Sequence, residues 1–178
     1  YLDHRRALEP NLADPVVSLA ARQGDVRLYE RLAREAEKAG TPQERRRFLF
    51  ALADFRDPRL LDRTRRACLA DVPVQDMPLL VVRLLHNPAA REETWEFLRK
   101  RWAKSERRLP PALGTRILEA LPELQTAKHR REVAAFFRKH PMPTGKRALQ
   151  QALERFELNA EFRKRSAPGF RRWLEGRT

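Results

Sequence analysis

The sequence predicts an all-α fold, on three observations. No segment shows the alternation of apolar and polar residues that a half-buried β-strand requires. Prolines repeatedly follow Asp, Asn or Thr, a pairing typical of the first residues of a helix. Apolar residues recur at helical spacing between these starts. We therefore expect about ten helices, paired into hairpins, in a single domain that spans residues 1–178.

Helix starts are marked by N-cap residues and by proline at the first helical position. Thr41 opens a capping box that ends at Glu44, with Pro42 as the first helical residue. Thr126 and Ser166 are further candidate N-caps. The predicted helices begin near Pro15, Asp25, Pro42, Pro58, Met77, Pro88, Pro111, Ala127, Lys146 and Ala167.

Apolar stripes at helical spacing give the predicted helices faces to bury. Leu113, Ile117 and Leu121 form one such stripe. The segment 79–85 is apolar all round except at Arg83, and this pattern predicts a central, buried helix.

The spacing of the helices predicts how they are arranged. Alternate helices start near 15, 42, 77, 111 and 145, at intervals of 27, 35, 34 and 34 residues. This rhythm is typical of stacked helical hairpins, in which each hairpin buries its face against the next. Tetratricopeptide arrays have a similar period, but their Trp and small-residue signature is missing here. We predict an irregular HEAT/armadillo-like superhelix of about five stacked antiparallel hairpins, with residues 105–111 as a loop between hairpins.

Length and composition fit a single globular domain. A chain of 178 residues can bury a core without disulfides, and its one cysteine, Cys68, excludes an intrachain disulfide. No apolar run approaches a transmembrane helix, so we expect no membrane partner. The chain begins with Tyr1 and has no signal core, and we expect it to be a fragment of a longer chain. The single cysteine and the excess of Arg over Lys favour a bacterial cytoplasmic protein.

The sequence carries no recognisable catalytic or metal-binding motif. None of its four histidines opens an HExxH zinc helix, and no serine lies in a GxSxG elbow. The segment 144–146 lacks the glycines of a phosphate-binding loop. We expect Cys68 to be a buried, inert thiol, and His4, His86, His129 and His140 to be structural. The segment is therefore predicted to contain no catalytic residue, no metal ligand and no cofactor.

The positive charge has two interpretations. Lys and Arg number 38 against 24 Asp and Glu, a net charge of +14, which makes nucleic acid a possible partner. Trp95 and Trp102, near the basic cluster 99–101, would then be stacking surfaces. However, basic residues alternate with Glu at helical spacing, as on solvated faces. Trp95, Leu98 and Trp102 also share one helical face, which favours a place in the core. We therefore consider nucleic acid an unlikely partner.

Several stretches, in their order along the chain, are similar to one known family. They are ALA at 51–53 with DPRLL at 57–61, VQD at 74–76, NP at 87–88 with Trp95, FL at 97–98 and Trp102, REV at 131–133 with FF at 136–137, and Arg147, LE at 153–154 and Asn159 with RWL at 172–174. Together they resemble the C-terminal helical domain of the aminopeptidase N-type zinc metallopeptidases, which include the endoplasmic-reticulum and puromycin-sensitive aminopeptidases. The resemblance extends from about residue 14 to residue 175. Phe162 departs from the pattern, since many members have Trp there, and family domains often carry extra hairpins before Pro15.

The resemblance implies a non-catalytic domain of a zinc-dependent aminopeptidase. In that family the HExxH zinc site and the GxMEN exopeptidase motif lie in a separate upstream catalytic domain, so zinc is expected there and not in this segment. The C-terminal domain is a bowl of HEAT-like hairpins that packs over the catalytic domain and forms and gates a chamber around the peptide substrate. The parent chain would be a hydrolase that releases N-terminal residues from peptides through a zinc-activated water.

Arg83 and Arg47 are the candidate substrate-binding residues. In the chamber, basic side chains would attract the C-terminal carboxylate of the peptide. The residues themselves favour a structural role for Arg83, which would pair with an internal carboxylate such as Asp76 or lie at the helix surface. For the whole chain, the alternative function is a stand-alone helical-repeat scaffold that binds a protein partner, or less favourably a basic nucleic-acid-binding domain.

Overall fold

The computed structural model describes Leu2, residues 8–109 and residues 111–176. Within these residues the chain forms ten α-helices and no β-strand, which confirms the predicted all-α class. The helices are α1 (Pro10–Arg22), α2 (Val26–Lys38), α3 (Pro42–Ala51), α4 (Pro58–Cys68), α5 (Met77–His86), α6 (Arg91–Lys100), α7 (Trp102–Arg108), α8 (Pro111–Ala120), α9 (Ala127–Lys139) and α10 (Lys146–Glu175). Two short 3-10 turns, Leu121–Leu124 and Pro143–Gly145, lie before α9 and α10.

Polar N-caps begin several of these helices where the sequence predicts them. The Thr41 hydroxyl accepts a hydrogen bond from the backbone N–H of Glu44 at 3.2 Å. The side chains of Asp25, Asp57 and Thr126 accept corresponding bonds at the starts of α2, α4 and α9. Each cap satisfies an N–H group that the first turn leaves without a helical acceptor, which stabilises the helix by about 1 kcal/mol.

Two prolines expected at helix starts lie inside helices instead. Helix α1 begins at Pro10 and continues through Pro15, and α10 continues through Pro168. No separate helix therefore starts at Ala167. Both prolines are exposed, so water can bind the carbonyl group that each proline leaves without an N–H donor.

The region after α5 also differs from the prediction. Pro88 lies in a turn, and α6 begins three residues later at Arg91. Most of the expected loop at 105–111 is helical, because α7 extends to Arg108. Ser105 is fully buried there, and its hydroxyl donates to the Arg101 carbonyl at 3.1 Å. A hydroxyl that donates a hydrogen bond to a backbone carbonyl of its own helix can be buried without a partner elsewhere in the fold.

The described residues form two compact units, divided between Pro110 and Pro111. In the N-terminal unit, α3 packs against α1 and α2, and α5 packs against α4 and α6. In the C-terminal unit, α10 packs against α8 and α9.

Large apolar side chains fill the core of each unit. Phe48, Phe55 and Trp95 are fully buried in the N-terminal unit, and Ile117 and Phe156 are buried in the C-terminal unit. No helix in the described part of the chain is long and apolar enough to cross a membrane.

Candidate functional site

Arg83 lies on α5 and forms an ion pair with Asp54, in the segment that follows α3. Arg83 Nε is 3.1 Å from both carboxylate oxygens of Asp54, and Nη2 is 2.6 Å from Oδ2. The Ser18 hydroxyl on α1 donates to Asp54 Oδ2 at 2.7 Å and accepts from Arg83 Nη2 at 3.0 Å. This network of charge-assisted hydrogen bonds joins three segments of the N-terminal unit.

Arg83 pairs with an internal carboxylate, as predicted, but this carboxylate is Asp54 and not Asp76. Asp76 immediately precedes α5, so it lies about 10 Å from Arg83 along the helix axis. Its carboxylate, 5% exposed, accepts instead from Arg46 Nε at 2.7 Å. Asp54 is likewise buried, with 8% of its side chain exposed, whereas 38% of the Arg83 side chain is exposed.

A groove of about 870 Å³ lies beside this network in the N-terminal unit. Phe50, Leu79 and Val82 supply apolar lining, and Arg22 and Arg56 join Arg83 in supplying positive charge. Small-molecule and peptide sites commonly combine an apolar lining with a few polar groups in this way.

The groove carries uncompensated positive charge, because Arg22 and Arg56 are exposed and make no ion pair with any described residue. Asp54 is the one carboxylate among the described residues that line the groove, and it is already bound to Arg83. Three arginines against one aspartate leave an excess of positive charge. An unoccupied guanidinium can bind a carboxylate through two parallel hydrogen bonds.

Asn87 and His86, at the end of α5, define the edge of the groove. Asn87 Nδ2 donates to the carbonyls of Ala53 and Phe55 at 2.8 and 2.7 Å, and so holds the backbone on both sides of Asp54. His86 Nδ1 is 2.8 Å from the Val82 carbonyl. Because a carbonyl only accepts, Nδ1 carries a proton there, and Nε2 is the other polar atom of this exposed ring.

Arg47, the second candidate, lies outside the groove. It is on α3, 17% exposed, and its Nε donates to the Asp14 carboxylate on α1. Asp14, which precedes Pro15, is inside α1 and 72% exposed. The structure therefore does not bring Arg83 and Arg47 together in one site.

The family model of the ERAP1-like C-terminal domain matches residues 1–158 of this chain. The chain belongs to the ERAP1-like C-terminal domain family. Aminopeptidase 2 of Candida albicans is 23% identical over 178 residues, which cover 96% of this chain and 19% of the relative. The chain thus spans about a fifth of that relative's length. These matches confirm the resemblance to the C-terminal domain of aminopeptidase N-type enzymes.

This ERAP1-like domain offers no ligand set for zinc in its described part, where no group of three His, Cys, Asp or Glu side chains could hold a metal ion. Cys68 is 1% exposed at the end of α4, as a structural thiol would be. His86 ends α5 and His140 caps α9, and His4 lies outside the described residues.

Several of the cations of the N-terminal unit are paired with carboxylates. The pairs include Arg46–Asp76, Arg63–Glu30, Arg65–Glu93, Arg66–Asp62 and Arg99–Glu96. Trp95 and Trp102 are 1% and 4% exposed, so their rings belong to the core, as their shared helical face predicts. Neither ring offers a surface on which a base could stack.

The sequence contains a signal for the Asp54–Arg83 pair that our prediction missed. Asp54 is the lone charged residue in the apolar run 48–55, just as Arg83 is in 79–85. A buried charge requires an opposite charge, so two lone charges in two apolar segments predict each other. Arg22 and Arg56 give no such signal, because they are exposed and resemble other surface arginines.

Proposed function

We propose that this chain is the non-catalytic C-terminal domain of a zinc-dependent aminopeptidase, which packs over the catalytic domain of the same chain and forms and gates the peptide chamber. The match of the ERAP1-like C-terminal domain to residues 1–158 carries this proposal. The similarity to Aminopeptidase 2, of which this chain spans 19%, supports it. The zinc ion and the hydrolytic residues would belong to the upstream domain.

The groove in the N-terminal unit supports a role in holding peptide. Its apolar lining suits peptide side chains, and Arg22 and Arg56 suit a C-terminal carboxylate. Arg83 uses Nε and Nη2 on Asp54 and Ser18, while its Nη1 has no acceptor among the described residues. We propose that Arg83 keeps the groove in shape and adds one donor at its edge. For Arg47, which is paired with Asp14, a contact with substrate stays a prediction.

Kinetics of the full-length enzyme test the role of the groove. The double variant Arg22→Ala/Arg56→Ala is expected to raise KM about ten-fold or more for a peptide with a free C-terminal carboxylate, since a charge-assisted hydrogen bond contributes about 1.5–3 kcal/mol. KM for a one-residue amide substrate should not change. Arg27→Ala is the matched control, because Arg27 is exposed on α2 and does not line the groove. Equal KM values for the free and the C-terminally amidated peptide in the wild type would refute the carboxylate contact.

The coding sequence upstream of Tyr1 tests the larger proposal. We expect an HExxH helix with a downstream Glu ligand, preceded by a GxMEN strand. A start codon within a few residues of Tyr1 would exclude a catalytic domain in the same chain, and a scaffold that binds a protein partner would become the leading hypothesis.

A further inference from the structure

The second half of α10 presents an apolar face that its own unit does not cover. The buried residues of α10 are Ala148, Ala152 and Phe156, all in its first half. Beyond them, every large apolar side chain of the helix is 47–63% exposed: Leu158, Phe162, Phe170, Trp173 and Leu174. We call these five residues the α10 face. The ERAP1-like match ends at residue 158, where this face begins.

The charged residues of the same segment lie beside and opposite the α10 face, except Arg163, which lies within it. At 3.6 residues per turn, positions 158, 162, 170 and 173 lie within about 120° of one another. Lys164 and Arg171 lie on the opposite side of the helix, Arg165 and Arg172 border the face next to Leu158, and Arg163 lies between Phe170 and Leu174. The segment 159–176 is thus amphipathic and basic, with five Lys and Arg against two Glu.

The α10 face contains a hollow of about 510 Å³ between Phe162 and Phe170. Ser166 and Ala167, small side chains about one turn from each ring, line it together with Asn159, Gln125 and Arg163, whose guanidinium donates to Gln125 Oε1. The Phe170 ring is stacked with Trp173, with centroids 5.9 Å apart. A hollow between two aromatic rings with a few polar groups along it suits a protruding side chain of a protein. A helix that lies on a lipid surface requires no such hollow.

We infer that the α10 face is the docking surface for the remainder of the aminopeptidase chain, which presents an apolar patch rimmed by carboxylates. This inference rests on the function proposed above. The chain spans only 19% of Aminopeptidase 2, so in a parent chain of that length about four-fifths would be available to cover the face. The basic side chains beside the face provide the charge complementarity, since they would meet acidic residues at the rim of the contact.

Hydrogen exchange of the full-length enzyme tests this contact. In the wild type, the amides of 159–176 should exchange about ten-fold or more slowly than in the double variant Phe162→Asp/Phe170→Asp, in which charge opposes docking. Leu19→Asp is the matched control, because Leu19 is also exposed, at 59%, but lies on α1. The single variant Phe170→Leu, which keeps an apolar side chain, should keep most of the wild-type protection. Far-UV circular dichroism should show equal helicity in all variants. Equal exchange rates in the wild type and the double variant would overturn the inference.

Two further measurements separate the possible occupants of the face. A dimer of the full-length enzyme in sedimentation that Phe170→Asp dissolves would assign the face to a second copy and overturn the inference. Binding of the full-length wild type, but not of Phe170→Asp, to phosphatidylserine vesicles would assign it to a membrane and overturn it as well.

The outcome also shows which of the two proposals fails. An active zinc aminopeptidase with an unprotected α10 face would refute the docking surface alone. A gene without an upstream catalytic domain would refute both the docking surface and the proposed function.

Discussion

Replacing Arg83 with Leu should destabilise the N-terminal unit by about 3 kcal/mol, the lower end of the cost of breaking a buried ion pair. Asp54, 8% exposed, would lose its three contacts with the guanidinium and keep one bond from Ser18. We take the lower end because the Arg83 side chain is 38% exposed, so water can reach part of the space it leaves. For a chain of this length, such a loss lowers Tm by about 6–12 °C.

Urea unfolding followed by tryptophan fluorescence measures this loss. Trp95 and Trp102 are buried in the N-terminal unit, whereas Trp173 is half exposed on α10. A Trp173→Phe background therefore gives a signal from the N-terminal unit alone. Arg27→Leu, which removes an exposed arginine from α2, should change the free energy of unfolding by less than about 0.5 kcal/mol.

A double-mutant cycle isolates the interaction between the two side chains. Asp54→Leu combined with Arg83→Leu should cost less than the sum of the single changes, with a coupling energy of about 2 kcal/mol. A cost below about 0.5 kcal/mol for Arg83→Leu, with no coupling, would refute the reasoning, since the pair would then resemble a surface ion pair. Arg83 would in that case be available to bind substrate as Arg22 and Arg56 are.

Three further predictions concern other positions. Gly24→Ala should cost about 1–3 kcal/mol in thermal unfolding, because a Cβ there would lie 2.8 Å from the Leu28 side chain and the Phe55 ring, while Gly40→Ala, in open space, should be tolerated. Burial raises the pKa of the Tyr29 hydroxyl above its ordinary value. The stability that this hydroxyl contributes is therefore present below about pH 10 and is lost as the pH rises through the raised folded-state pKa. A tyrosinate absorbance titration, with Tyr29→Phe as reference, should show one tyrosine that titrates late. Gln125 has a φ of 65°, so Gln125→Gly should raise the free energy of unfolding by up to about 1 kcal/mol. An unchanged or lower Tm would mean that the hydrogen bond from Arg163 to Gln125 outweighs the backbone strain.

The helix starts could be predicted from sequence where a side chain itself supplies the cap. Thr41 and Thr126 cap through their own hydroxyls, a contact within a few residues, so local sequence is sufficient to identify it. Pro15 and Pro168 misled the prediction because a proline ends a helix only when its lost hydrogen bond and crowding outweigh continued packing. That balance depends on exposure and on flanking turns, which the residues around a proline do not reveal.

The ion pair and the groove show a different limit of sequence reasoning. Asp54 and Arg83 lie 29 residues apart, and each is the lone charge of an apolar segment, so the cost of burying charge makes the pair predictable in principle. Arg22 and Arg56 are informative for the opposite reason. They are exposed, and only the packing of α1, α3 and α5 places them on one groove. A cation in an internal ion pair can bind a ligand only if that pair breaks, which costs free energy. An exposed cation on a groove can donate its hydrogen bonds to a ligand without this cost. This difference is why we assign the peptide carboxylate first to Arg22 and Arg56, and only at its edge to Arg83.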